Sequence, residues 1–145
     1  MTYVRYGLVF AVVALGAALA VKILNTTTDN VLGSSAQLMV PAMIAALIEG
    51  QQFARAHKRR PRSAEIWGFV WVATLIAVVL NVALAFGAGG LAPVFGRLAI
   101  AAASVQQFAL LLGIYAGGYL ICNRFFAGIG AGNQLSVMRN RGELE

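Results

Sequence analysis

Four apolar stretches, each about as long as a membrane-crossing helix, are separated by polar or glycine-rich breaks, and only one of these breaks is densely charged. That break is a basic knot, Arg55-Ala-His57-Lys58-Arg59-Arg60-Pro61-Arg62. A spanning helix needs roughly 20 mainly apolar residues to cross about 30 Å of hydrocarbon. Four such helices and short connections use up a chain of 145 residues. Only 11% of the residues are charged, against about a quarter in a soluble domain. The chain therefore has too little polar side chain to wet the outside of a soluble core. The expected fold is all-α, an integral-membrane four-helix bundle forming one domain over residues 1–145.

The spans are expected at 3–24, 35–53, 64–86 and 94–121, with a cytoplasmic basic loop at 54–63 and a polar tail at 122–145. Asn25, three threonines and Asp29-Asn30 close the first span. Ala18-Leu19-Ala20 resembles a signal-cleavage site, but a lone Arg5 and a long apolar run favour a retained span. Ser34 or Ser35 suits the N-cap of the second span, and Pro41 falls in its first two turns, where a missing N–H does least harm. Ser63 suits the cap of the third, with Glu65 at the positive end of the helix dipole. Trp67 and Trp71 sit where an interfacial aromatic belt places them. Gly128-Ile-Gly130-Ala-Gly132-Asn133 lacks the lysine and preceding strand of a phosphate loop and reads as a flexible exit from the membrane.

Orientation follows from the cations. With the amino end in the cytoplasm, Arg5, Arg55, Lys58, Arg59, Arg60, Arg62, Arg124, Arg139 and Arg141 lie inside, and only Lys22 and Arg97 lie outside. This bias places both termini and the knot on the cytoplasmic side of a plasma membrane. The knot, with Trp67 and Trp71, then lies against anionic headgroups. The net charge of +6 is explained by topology, and no nucleic-acid partner is needed to account for it.

Inside lipid, helices associate through close contact between small residues and through interhelical hydrogen bonds. Gly113 and Gly117 form a GxxxG pair, and Gln106 lies two turns earlier on the same stripe. Gly16 and Ala20 supply a small-residue stripe on the first span. Ala42, Ala45, Glu49 and Gln52 supply one on the second, and Ala73, Thr74, Ala77 and Asn81 one on the third. These stripes face one another, or they face another membrane protein or a second copy of the chain.

Glu49 is the only acid expected below the headgroups, about 7 Å from the inner end of its span at 1.5 Å per residue. With Gln52 it is the candidate proton or ion site; otherwise it is held by a structural ion pair, with Arg124 or the knot as the expected partner. Ser104, Gln106, Gln107 and Asn81 read as interhelical glue. His57 reads as a solvated loop residue. One cysteine and one histidine leave no basis for a disulfide or a classical zinc site. Cys122 has no neighbouring base that would make it a nucleophile. No catalytic constellation is present, so neither an enzyme nor a cofactor is expected.

Glu49, Gly50 and Phe53, followed by Arg59, Pro61, Glu65 and Trp67, form a pattern that resembles a family of small, uncharacterised four-span bacterial inner-membrane proteins. The resemblance implies a bacterial inner membrane and the same four-span layout. Small multidrug transporters are similar in length and span count, but their first span carries an acid and this one does not. The leading functional expectation is an accessory subunit that docks on a larger membrane complex through small-residue helix faces. The alternatives are a small dimeric proton-coupled carrier using Glu49, and an immunity protein acting against a membrane-active toxin.

Overall fold

The computed structural model describes residues 1–27, 35–83 and 104–143. Among them are four helices and no strand: α1 (Tyr3–Thr27), α2 (Ser35–His57), α3 (Ser63–Ala83) and α4 (Val105–Asn140). Two helical segments among the described residues, Ser63–Leu80 and Val105–Asn140, are long and apolar enough to cross a membrane. The apolar part of α1 covers the shorter run Tyr3–Ala17.

Several boundaries differ from the sequence expectation. Asn25 to Thr27, read as loop, belong to α1, and α2 runs through the start of the basic knot to His57. Residues 94–103 of the expected fourth span lie outside the described residues. The helix there starts at Val105, with Ser104 as its N-cap accepting from the Gln107 N–H at 3.2 Å. The largest correction concerns the tail. Residues 122–140, glycine run included, continue α4. Glycine weakens a helix by only about 1 kcal/mol per residue, and tertiary contact along this stretch outweighs that.

The turn between α2 and α3 is closed by local chemistry. Lys58 takes the left-handed conformation (φ 52°) just past the last residue of α2, with its N–H bonded to the Ala54 carbonyl at 2.8 Å. This is the common way a helix stops. The residue capping α3 is Arg62 and not Ser63: the Arg62 carbonyl accepts the Ile66 N–H, and the Glu65 carboxylate reaches back to the Arg62 N–H at 2.7 Å. That reach-back is half of a capping box.

The helices form a ring in the order α1, α2, α4, α3. Antiparallel contact joins α1 to α2, since Arg5 at the start of α1 meets Glu49 in the second half of α2, and joins α3 to α4, since Arg60 in the turn leading into α3 lies beside Gly132 while Thr74, farther along, meets Asn123. The most extensive contact is between α2 and α4, which run parallel: Met39 lies beside Gly118, Leu47 beside Gly130, and Lys58 beside Glu143. The amino terminus, the basic knot and the carboxyl end of α4 consequently share one end of the bundle.

Candidate functional site

The seam between α2 and α4 is built from small side chains. Ala42, Ala46, Gly50 and Ala54 recur every four residues and are all buried. On α4, Tyr119, Asn123, Ala127 and Ala131 do the same. Spacing of four keeps each set on one face of its helix. At two points backbone meets backbone. A Cβ on Gly50 would run into the Ala127 carbonyl, and one on Gly130 into the Leu47 carbonyl. Only glycine permits this approach, because any other residue places a carbon where the neighbouring helix already is.

One residue before Gly50, Glu49 lies on an adjacent face of α2, toward α1. It is fully buried and doubly clasped. The Arg5 guanidinium donates from Nε to Oε1 and from Nη2 to Oε2, the latter at 2.9 Å. The Thr2 backbone N–H adds a third donor to Oε2 at 2.8 Å. A two-pronged guanidinium matches the geometry of a carboxylate and is among the stronger ion pairs. The Arg5 side chain remains 39% exposed, so the clasp spans the boundary between the bundle interior and its surface. Sequence reasoning singled out Glu49 but named Arg124 or the knot as its partner; the partner is Arg5. In this structure Arg124 instead lies over the Trp67 ring, 5.9 Å from its centre.

A second polar element runs across the bundle. The Tyr6 hydroxyl donates to Asn123 Oδ1 at 2.9 Å, and Asn123 Nδ2 donates to Thr74 Oγ1 at 3.2 Å. The chain links α1, α4 and α3 through groups that are all buried. Aromatic rings surround it: Tyr6 meets Phe69 edge-on at 5.6 Å, and Phe10 meets Tyr119 at 6.2 Å. Such edge-to-face pairs contribute about 0.5–1.5 kcal/mol beyond their buried area. Thr74 belongs to the expected stripe on the third span, whereas Tyr6 and Asn123 carry no sequence signal that pairs them.

The basic knot is partly neutralised and partly not. Arg59 pairs with Glu65 through two bonds of 2.8 Å and lies over the Phe53 ring. His57 is on the last turn of α2, exposed, with its ring stacked on Phe53 at 4.2 Å and Nδ1 3.1 Å from the Phe53 carbonyl. Arg55, Lys58, Arg60 and Arg62 are exposed at the same end of the bundle. Trp67 and Trp71 are exposed on the outer face of α3.

The other residues singled out in the sequence lie apart from this network. Gly16, Ala20, Gln106 and Gly113 are exposed, and Gly117 is half-buried. Among the described residues, a Cβ on Gly16, Gly113 or Gly117 would meet nothing within 4 Å. Gln52 and Cys122 are half-buried, and the Asn81 side chain lies outside the described residues. No protein-family model, curated protein or solved structure matches this chain.

Proposed function

We propose that this chain is a non-enzymatic, multi-pass subunit of a bacterial inner membrane, crossing it four times with both termini and the basic knot in the cytoplasm. It docks on another membrane protein, or on a second copy of itself, through the first half of α4. The observation that carries this reading is the division of α4 into two halves. Every buried position of α4 lies from Tyr119 onward. From Val105 to Gly118 none of its residues is buried, yet this half carries Gln106, Gly113 and Gly117 on one stripe. In hydrocarbon an amide seeks a partner, and glycine spacing of this kind offers room for a second helix.

The length of α4 supports the same arrangement. Its 36 residues extend about 54 Å at 1.5 Å per residue, well beyond the roughly 30 Å of hydrocarbon. The surplus falls at the end shared with the knot, where Arg139 and Arg141 meet water. Nine of the eleven basic residues collect on that side, as the positive-inside rule requires of a cytoplasmic face.

A photo-crosslinking residue at position 113, introduced into the full chain in native membranes, tests the reading. One discrete polypeptide adduct is expected there and none at the outward-facing Val79 of α3. Crosslinks to lipid alone at 113, with the chain purifying as a lone monomer in mild detergent, would overturn it.

A second reading, a small dimeric proton-coupled carrier, draws on the full burial of Glu49. Transport would require the carboxylate to leave Arg5 and Thr2 in each cycle, and three donors on one carboxylate favour a structural clasp. The carrier reading expects a proton-linked flux in liposomes that Glu49→Gln abolishes, and it fails if the wild-type chain carries none.

A further inference from the structure

A groove of about 570 Å³ opens where the turn between α2 and α3 lies against α4. Arg60 comes from the turn, Ile66 from α3, and Arg124, Phe125, Ile129 and Asn133 from α4. Among the described residues no acidic side chain lines it. We propose that this groove is a binding site for one anionic phospholipid, with the phosphate held between Arg60 and Arg124 and an acyl chain lying along Phe125 and Ile121. The proposal rests on the membrane placement given above, because a lipid reaches the groove only if this end of the bundle lies at the headgroups.

Charge is the first reason. Arg5, Arg59 and Arg141 each have a carboxylate partner within 4 Å. Arg60 and Arg124 have none among the described residues, and both border the same groove. Two guanidiniums without a counter-ion on one concave surface form a site for an anion, and a guanidinium suits a phosphate because it can donate two parallel bonds.

Space is the second reason. Gly128 and Gly132 stand one turn apart on the groove wall. A Cβ at Gly132 would lie 3.4 Å from an Arg60 guanidinium nitrogen, and one at Gly128 would lie 3.9 Å from an Arg124 guanidinium nitrogen. The two glycines thus let each guanidinium lie close against the α4 backbone on the groove wall. The Asn133 amide, one residue beyond Gly132, adds a neutral donor at the rim.

The apolar surface decides between a lipid and a free anion. The groove continues onto exposed apolar side chains running toward the bilayer: Phe125 is 62% exposed, and Ile121, one turn back on α4, is 72% exposed. Trp67 borders Arg124 from α3. A soluble phosphate would need only the two arginines, whereas a phospholipid uses the arginines together with the apolar track.

The test uses the full chain in detergent, with bound lipid counted by native mass spectrometry after exposure to equal phosphatidylglycerol and phosphatidylcholine. Wild type is expected to retain phosphatidylglycerol preferentially. Arg60→Ala with Arg124→Ala should reduce that preference about tenfold or more, since each arginine near a headgroup contributes a comparable electrostatic share. Arg139→Ala with Arg141→Ala removes the same charge outside the groove and should leave the preference within about twofold. Phe125→Ala should weaken retention of both lipids while keeping the preference. Millimolar inorganic phosphate should not displace the lipid. Equal losses from the two double variants would show net charge alone at work and overturn the site. Displacement by phosphate, with no effect of Phe125→Ala, would overturn the lipid assignment. Circular dichroism of each variant separates unfolding from lost binding. A chain that stays dissolved without detergent refutes the membrane placement itself, whereas lipid bound without preference refutes only this site.

Discussion

The backbone contact at Gly50 makes Gly50→Ala the most diagnostic single substitution in the chain. The added methyl would lie 2.9 Å from the Ala127 carbonyl carbon and 3.0 Å from the Ala131 nitrogen, and closer still to the Ala127 oxygen. A comfortable separation for a carbon is about 3.5–4.0 Å. The obstacle is helix backbone, which cannot swing aside as a side-chain tip can, so α2 and α4 must part by about 1 Å. A gap of that size forfeits about a quarter to a half of the dispersion energy of the contacts it opens, and overpacking of this kind costs about 1–3 kcal/mol. Alanine returns up to about 1 kcal/mol in helix propensity. The net expectation is a loss of about 1–2 kcal/mol. Gly113→Ala and Gly16→Ala meet nothing among the described residues within 4 Å and, in the unassociated chain, should be neutral or stabilising by up to about 1 kcal/mol. Reversible unfolding in mixed detergent micelles, followed by circular dichroism, measures all three. Because Gly130 sits on the same seam, Gly50→Ala with Gly130→Ala should cost less than the sum of the singles; the first methyl has already opened the gap. If Gly50→Ala proves as stable as Gly113→Ala, the close backbone crossing of α2 and α4 is wrong.

The Glu49 clasp should respond asymmetrically in the same unfolding assay. Arg5→Ala leaves a fully buried carboxylate with only a backbone donor and should cost about 3 kcal/mol or more. Glu49→Gln frees an arginine that is already 39% exposed and can turn to water, so it should cost clearly less, and equal losses would refute the clasp. Tyr6→Phe removes the donor to Asn123 Oδ1 and should destabilise by about 1–3 kcal/mol, with Thr74→Val showing non-additive coupling to it in a double-mutant cycle; additive effects would mean that the two hydroxyls do not share the amide. In a Cys122→Ala background, Lys58→Cys should react with a membrane-impermeant maleimide only after the cells are permeabilised. Labelling of intact cells would invert the topology.

How far the sequence discloses this arrangement depends on whether a feature is periodic or pairwise. The helices follow from long apolar runs, and the starts of α1, α2 and α3 are legible because each run is long and bounded by a break; the fourth run, expected from 94, gives a helix that among the described residues begins at Val105. Glu49 is legible because an acid within an apolar run has to be accommodated somehow. Its partner is not, because Arg5 lies 44 positions away and looks identical to a residue placed by the positive-inside rule. The same holds for Tyr6 and Asn123, 117 positions apart. The glycine run at 128–132 misleads for a physical reason. In water, glycine-rich polar sequence is a poor helix former and reads as loop. Packed against a second helix, the same glycines remove the side chains that would hold the backbones apart, and the helix persists. The repeat of small residues at 42, 46, 50 and 54 carried the readable signal for that partner helix, and it lies on a face of α2 adjacent to the Glu49 stripe.

The α2–α4 seam also fixes the geometry of everything else at this end of the bundle. Glu49 adjoins Gly50 in sequence, so the depth at which the carboxylate meets Arg5 is set by how closely α2 approaches α4. Gly128 and Gly132 flank Gly130, so the distance between Arg124 and Arg60 across the groove depends on the same crossing. One contact between two glycine-containing backbones therefore holds the clasp on one side and the groove on the other. Packed helices shift between discrete arrangements more readily than they deform smoothly. A change that opens this crossing is thus read at both places together, while a change confined to the clasp or to the groove leaves the other in register. The parallel pairing of α2 and α4 makes this possible. Two helices running in the same direction keep their charged carboxyl-terminal turns at one end, and there the basic knot, the amino terminus and the last turns of α4 meet.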